Sequence, residues 1–330
     1  MSGPAQAVTD RPVDMSVDLA GVRLRNPMMT ASGCAANGRE MHRLIDVSGL
    51  GAFVTKSVKA QPASGRGTPR MAETPSGMLN AIGLQGPGVE AFVAEDLAWL
   101  HSIGARVVVS VAGSTASEFA AVARAVMRSR YAPCVAAIEV NISCPNVANR
   151  GLVFACDPDG AHKVITLVRE EVPRGTPMLA KLSPDVTDIV EIADVVLSAG
   201  AHGLTMINTT LGVAIDTERL RPHLYAATGG LSGPAIRPTA VRAIWQVSAA
   251  MRAGRLRTAP IVGVGGVRTG RDALELVAAG ASAVQVGTAA FHDPTAPQRV
   301  GEELAGLIAG HGFERLADVV GIAHDRYPRG

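Results

Sequence analysis

The sequence predicts an α/β protein, a single (β/α)8 TIM barrel, and three observations carry that reading. Short apolar runs alternate with helix-length segments from end to end, the pattern of repeated βαβ units around a parallel sheet. Eight strand candidates begin near Pro27, Gly51, Ala105, Cys134, Pro177, Gly203, Pro260 and Ala283. No linker or compositional break divides the 330 residues, a length that one α/β barrel can fold as a unit.

Taken in order, residues 1–14 are polar, with Pro4 and Pro12 and no apolar core, and are expected to be a flexible tail rather than a signal peptide. Residues 15–330 are expected to form the barrel. Its first strand ends at Ser32–Gly33. The second ends at Lys56–Ser57 and leads into a Gly-, Pro- and Ser-rich connection over 58–88. The third reaches Ser110, and beyond it Thr115 and Glu118 make a capping-box pattern before Phe119, Val122, Ala123 and Val126 at helical spacing. The fourth ends over Asn141–Cys144 and the fifth at Lys181. Asp185 is expected to cap the next helix, which carries Ile189, Val190, Ala193 and Val196–Leu197 and which Gly200 stops. The sixth strand ends at Asn208–Thr209 and opens a second long connection, 209–235. The seventh ends at Gly265–Gly266, followed by a helix from near Gly270 to Gly280, and the eighth at Gly287–Thr288. Connections as long as 58–88 and 209–235 are usually lids or insertions with structure of their own. Both leave the carboxyl ends of strands, the face on which barrel enzymes keep their sites.

Composition narrows the function. Apolar residues make up 47% and mean hydropathy is +0.22, enough for a large core, while aromatics are only 3%. With a formal charge of +2 there is no basic field for nucleic acid. No apolar run approaches the ~18 residues of a membrane-spanning helix, so a cytoplasmic protein is expected. The four cysteines, Cys34, Cys134, Cys144 and Cys156, include no Cys-x-x-Cys pair. The eight histidines show no His-x-x-His or Glu-x-x-His spacing, so no metal site is expected.

Amides, lysines, hydroxyls and glycines therefore converge on one mouth. Gly265-Gly266 and Gly287-Thr288 follow the seventh and eighth strands, where barrels often bind phosphate on bare N–H groups; a pair of tight βα turns is the other reading. Lys56 and Lys181 could form a Schiff base, supply fixed positive charge, or reach to solvent. Asn80, Asn141, Asn146 and Asn208 each both donate and accept, which suits the alternating N–H and C=O edge of a pyrimidine-dione, although each alone is more often a turn former. Cys144, in Asn141-Ile142-Ser143-Cys144-Pro145-Asn146, can act as a base where nearby positive charge favours its thiolate. Cys134 reads as an inert thiol, and Cys34 and Cys156 have no assigned role.

Met78-Leu79-Asn80-Ala81-Ile82-Gly83-Leu84-Gln85, the Asn141–Asn146 segment, Lys181-Leu182-Ser183-Pro184 and Gly229-Gly230-Leu231-Ser232-Gly233-Pro234 resemble class 1 dihydroorotate dehydrogenases. The nearest resemblance is to class 1B, the NAD-linked branch, and it runs from about Val17 past the last strand. It implies an FMN enzyme that oxidises dihydroorotate to orotate in pyrimidine synthesis. Cys144 would take the proton from carbon 5 while hydride passes from carbon 6 to flavin N5. Asn80, Asn141, Asn146, Asn208 and Thr209 would hold the pyrimidine, and Lys56 would meet both its carboxylate and the flavin. Lys181 would stabilise negative charge at the N1–O2 edge of the flavin. Ser32, Gly33, Ser57, Ser110, Asn141, Thr209, Ser232 and Gly233 would line the ring and ribityl chain, and Gly265, Gly266, Gly287 and Thr288 would hold the phosphate.

Three positions depart from the family pattern: Ser110 and Gly86 stand where an Asn is common, and Cys34-Ala35-Ala36 lacks an aromatic residue. The resemblance also implies a homodimer and a separate subunit, carrying FAD and a [2Fe–2S] cluster, that reduces NAD. A class 1A homodimer using fumarate is the alternative acceptor reading. Three rivals stand beside the dehydrogenase: an FMN reductase of uracil like dihydropyrimidine dehydrogenase, a Schiff-base aldolase using Lys181, and a flavin-binding protein without turnover.

Overall fold

The computed structural model describes residues 12–143 and 154–327. Its eight barrel strands are β1 (Met28–Thr30), β2 (Phe53–Val54), β3 (Val107–Val111), β4 (Val135–Val140), β5 (Met178–Leu182), β6 (Gly203–Met206), β7 (Ile261–Val264) and β8 (Ala283–Val286). Each starts within two residues of its sequence-predicted position. All are parallel, hydrogen-bonded in the order β1-β8-β7-β6-β5-β4-β3-β2. A bridge between Met29 and Ala52 joins β1 to β2 and closes the barrel. At that short seam the Thr30 hydroxyl stands in for ladder bonds, accepting from Val54 N at 2.9 Å and donating to Val54 O at 3.1 Å.

The strands were legible because both of their faces are covered. Every residue of β3 through β8 is buried, so each reads as a nearly unbroken apolar run instead of an alternating one. The outer ring includes α1 (Ala116–Met127), α2 (Pro158–Glu171), α3 (Ile189–Ser198), α4 (Arg237–Arg252), α5 (Gly270–Ala279) and α6 (Ala296–Gly310). Thr115 caps α1 by accepting from Glu118 N, while the Glu118 carboxylate accepts from Ser114 N. On α5 the box is reciprocal, Thr269 with Asp272, and Gly280 ends the helix. Asp185 does not cap α3. That role falls to Asp188, whose carboxylate accepts from Val190 N and Glu191 N. Asp185 sits a turn too early and instead takes the N–H of Leu211 at 3.0 Å.

The two long connections form one structure. Strands Met71–Thr74 and Gly77–Asn80, from the first, and Thr210–Gly212 and Gly229–Ser232, from the second, build one antiparallel sheet. It has a small core of its own around Leu79, Ala81 and Leu224. It is tied to the barrel by the Asp185–Leu211 bond and by Thr288 Oγ1 donating to Ser232 Oγ at 2.8 Å. Asp14, at the end of the expected tail, is bonded on both sides to the 314–316 segment. Among the described residues no helix is long and apolar enough to cross a membrane.

Candidate active site

The carboxyl ends of the parallel barrel strands share one rim. Here β2, β3, β4 and β6 contribute one connected chain of side chains. Asn208 Nδ2 donates to Asn141 Oδ1 at 3.2 Å, and Asn141 Nδ2 donates to Ser57 Oγ at 2.9 Å. The Ser57 and Ser110 hydroxyls are 2.9 Å apart, and Asn208 Oδ1 accepts from Thr209 N at 2.8 Å. Ser57, Ser110 and Asn141 are buried. An amide fixed by such a chain presents its remaining donor or acceptor in one direction, which is what recognition of a planar polar ring requires.

Asn80 joins this rim through the inserted sheet. Its Nδ2 donates to Gly230 O at 3.2 Å. Gly230 must be glycine, because a Cβ there would collide with the Thr209 hydroxyl. Bare backbone at residue 230 thus lets Asn80 approach Thr209 and the end of β6.

The two lysines prove to be different. Lys181, only 4% exposed, donates from Nζ to Ser32 Oγ at 2.9 Å and lies 3.7 Å from the carboxylate of Glu139, which is fully enclosed. Lys56 is half-buried and has no carboxylate partner among the described residues. Burial first, and the like charge of Arg70 second, hold its ammonium below the usual lysine range. Lys56 thus has no fixed anion among the described residues, and an anionic ligand would supply one.

Elsewhere on the same rim, after β7 and β8, the backbone turns sharply. Gly266 has φ +75° and an added Cβ would lie 2.6 Å from Arg237 Cβ; at Gly265 it would lie 2.8 Å from Ala240 Cβ. No other residue fits either place without shifting α4. The backbone N–H groups of Gly266, Gly287 and Thr288 have no acceptor among the described residues. That bare cradle suits a phosphate.

Cys144 and Asn146 lie outside the described residues. The described chain reaches Ser143, whose hydroxyl donates to Lys181 O at 2.8 Å. Sequence reasoning passed over Glu139 and Gln285. Both announce themselves as polar residues inside the apolar strands β4 and β8. It also left Cys34 without a place: the thiol lies beside Gly287, and burial, opposed by Lys181, pushes it up to about 11.

A model of the family "Dihydroorotate dehydrogenase" matches residues 14–308. The catalytic subunit of dihydroorotate dehydrogenase B (NAD(+)) from Geobacter sp. (strain M21) is 47% identical over 308 residues, covering 93% of this chain and 97% of that protein. The subunit of the same name from Geotalea uraniireducens (strain Rf4) is 46% identical over 308 residues, with the same coverage. The barrel, the rim of amides and the match along nearly its whole length establish that the chain belongs to the dihydroorotate dehydrogenase family, flavin-dependent oxidoreductases, in the branch of the B-type catalytic subunits.

Proposed function

We propose that this protein oxidises (S)-dihydroorotate to orotate in de novo pyrimidine synthesis, with one FMN per chain. The observation that carries the reading is the fixed chain Ser110–Ser57–Asn141–Asn208–Thr209 beside Lys56, a cation with no carboxylate partner among the described residues. An amide-lined slot next to a lone ammonium matches a ring of alternating N–H and C=O groups that bears a carboxylate. In this reading Asn80, Asn141, Asn146 and Asn208, with Thr209, orient the ring, and Lys56 binds the carboxylate. Cys144 takes the proton from carbon 5, and hydride leaves carbon 6.

The cradle at Gly265, Gly266, Gly287 and Thr288 suits the FMN phosphate. Ser32, Gly33, Ser57, Ser110, Ser232 and Gly233 would line the rest of the cofactor, with Lys181 at its electron-rich edge. Bound there, FMN supplies the two-electron acceptor for the hydride. The uracil-reductase reading leaves Lys56 without an anion. The aldolase reading needs a neutral amine, whereas Lys181 is paired with Glu139 and bonded to Ser32.

Replacing Asn141 or Asn208 by Ala leaves polar groups of the ring unpaired. Each change is expected to weaken orotate binding by about 1–3 kcal/mol, as calorimetric titration would measure, and Ala at Asn80 or Asn146 should do the same. Wild-type affinity in all four variants would remove the ring-reading role.

Electrons would leave through a second subunit carrying FAD and a [2Fe–2S] cluster, bound to a homodimer of this chain; a dimer of this chain using fumarate is the alternative. The chain alone is expected to reduce an artificial dye with dihydroorotate and to leave NAD unreduced. Rapid NAD reduction without a partner would contradict the arrangement, and turnover of dihydrouracil in place of dihydroorotate would favour the reductase.

A further inference from the structure

Glu139 has no part in the roles proposed above, yet it is placed with care. It is fully enclosed, and its Oε2 accepts from Gln285 Nε2 at 2.9 Å. Strands β4 and β8 stand opposite each other in the closed barrel, so this bond spans the lumen. The second oxygen, Oε1, has no hydrogen bond and lies 3.7 Å from Lys181 Nζ. Lys181 gives its hydrogen bond to Ser32, at the end of β1, and so is held between an inner carboxylate and the mouth.

A tie across the barrel does not need a charge, because a neutral amide pair or packed apolar side chains would serve. Enclosing a carboxylate is costly, and replacing a buried ion pair by neutral groups of similar volume is often no loss to stability. The charge is therefore accounted for by what it does to Lys181. We infer that Glu139 is a positioning residue that offsets the charge Lys181 presents at the mouth, and thereby sets how easily a flavin bound there is reduced. The inference rests on the flavin-site reading above.

The sign follows from electrostatics in a poorly screened interior. A negative charge below the mouth disfavours adding electrons there, and the lysine favours it. Glu139 thus holds the reduction potential below the value that Lys181 alone would impose.

The test is the midpoint potential of the bound flavin, titrated anaerobically against reference dyes in the purified holoprotein without substrate. Glu139→Gln keeps shape and removes charge. Its reduction equilibrium constant is expected to rise about tenfold or more, roughly 30 mV for a two-electron couple. Glu139→Asp keeps the charge and should stay within about threefold of wild type, about 15 mV. Lys181→Gln should lower the constant about tenfold or more, and the double variant E139Q/K181Q should return to within about threefold of wild type. That double variant replaces the ion pair by two amides, so it decides the matter even if E139Q alone does not fold. A yellow E139Q protein with an unmoved or lower potential overturns the inference, as does a double variant that titrates like K181Q or a K181Q that titrates like wild type. A colourless wild-type protein would instead remove the flavin reading itself.

Discussion

Replacing Cys144 by Ser is expected to leave the flavin bound and orotate affinity intact, yet to slow reduction of the flavin by dihydroorotate about 10²–10⁴-fold at pH 7, the usual worth of a general base. Ser is close in size to Cys, so the amides proposed to hold the ring need not move. Its hydroxyl is essentially un-ionised at pH 7, whereas a thiol with an ordinary pKa near ~8.5 supplies some thiolate, the form that takes a proton. The proton at carbon 5 then has no good acceptor. The deficit should shrink as pH rises, because hydroxide competes for the proton. Anaerobic stopped-flow absorbance at several pH values measures both effects. Near wild-type reduction at pH 7 would show that another group takes the proton.

The second large effect is on stability. Lys181→Met removes the cation beside the enclosed Glu139 carboxylate and leaves that carboxylate with a single hydrogen bond, from Gln285. Removing one partner of a buried pair costs about 3–5 kcal/mol, whereas changing both to neutral groups is close to neutral. Lys181→Met should therefore unfold at markedly lower urea concentration than wild type, and adding Glu139→Gln should restore most of the loss. If the single and double variants unfold together at the wild-type midpoint, Glu139 carries no charge worth balancing.

Much of this molecule could be read before its structure, and the reason is burial. Strands such as Val107–Val111 and Ala283–Val286 are covered on both faces, so their apolar runs stand out, and the residue ending each run falls at the rim. The rim therefore followed from counting strands: Ser57, Asn141, Lys181 and Asn208 were all placed at strand ends. What closure brings together was not legible. Glu139 meets Gln285 only because the eight-stranded barrel sets β4 opposite β8. Likewise Asn80 meets Gly230, 150 residues away, through short strands that no local pattern distinguishes from loop. The misplaced helix cap has a similar origin. Asp185 and Asp188 are both good capping residues, and periodicity fixes a helix's face better than its first turn. What decided between them was the tertiary bond from Leu211 to Asp185.

The central claim, a flavin that takes hydride from dihydroorotate in this barrel, is tested most directly by one visible spectrum taken before and after substrate. The purified protein should be yellow and release one FMN per chain on acid extraction. Anaerobic addition of dihydroorotate should bleach the flavin band, with one orotate formed per flavin. A folded protein that is colourless, that releases FAD, or that stays yellow with dihydroorotate while Cys144 and Lys56 are intact would contradict the account.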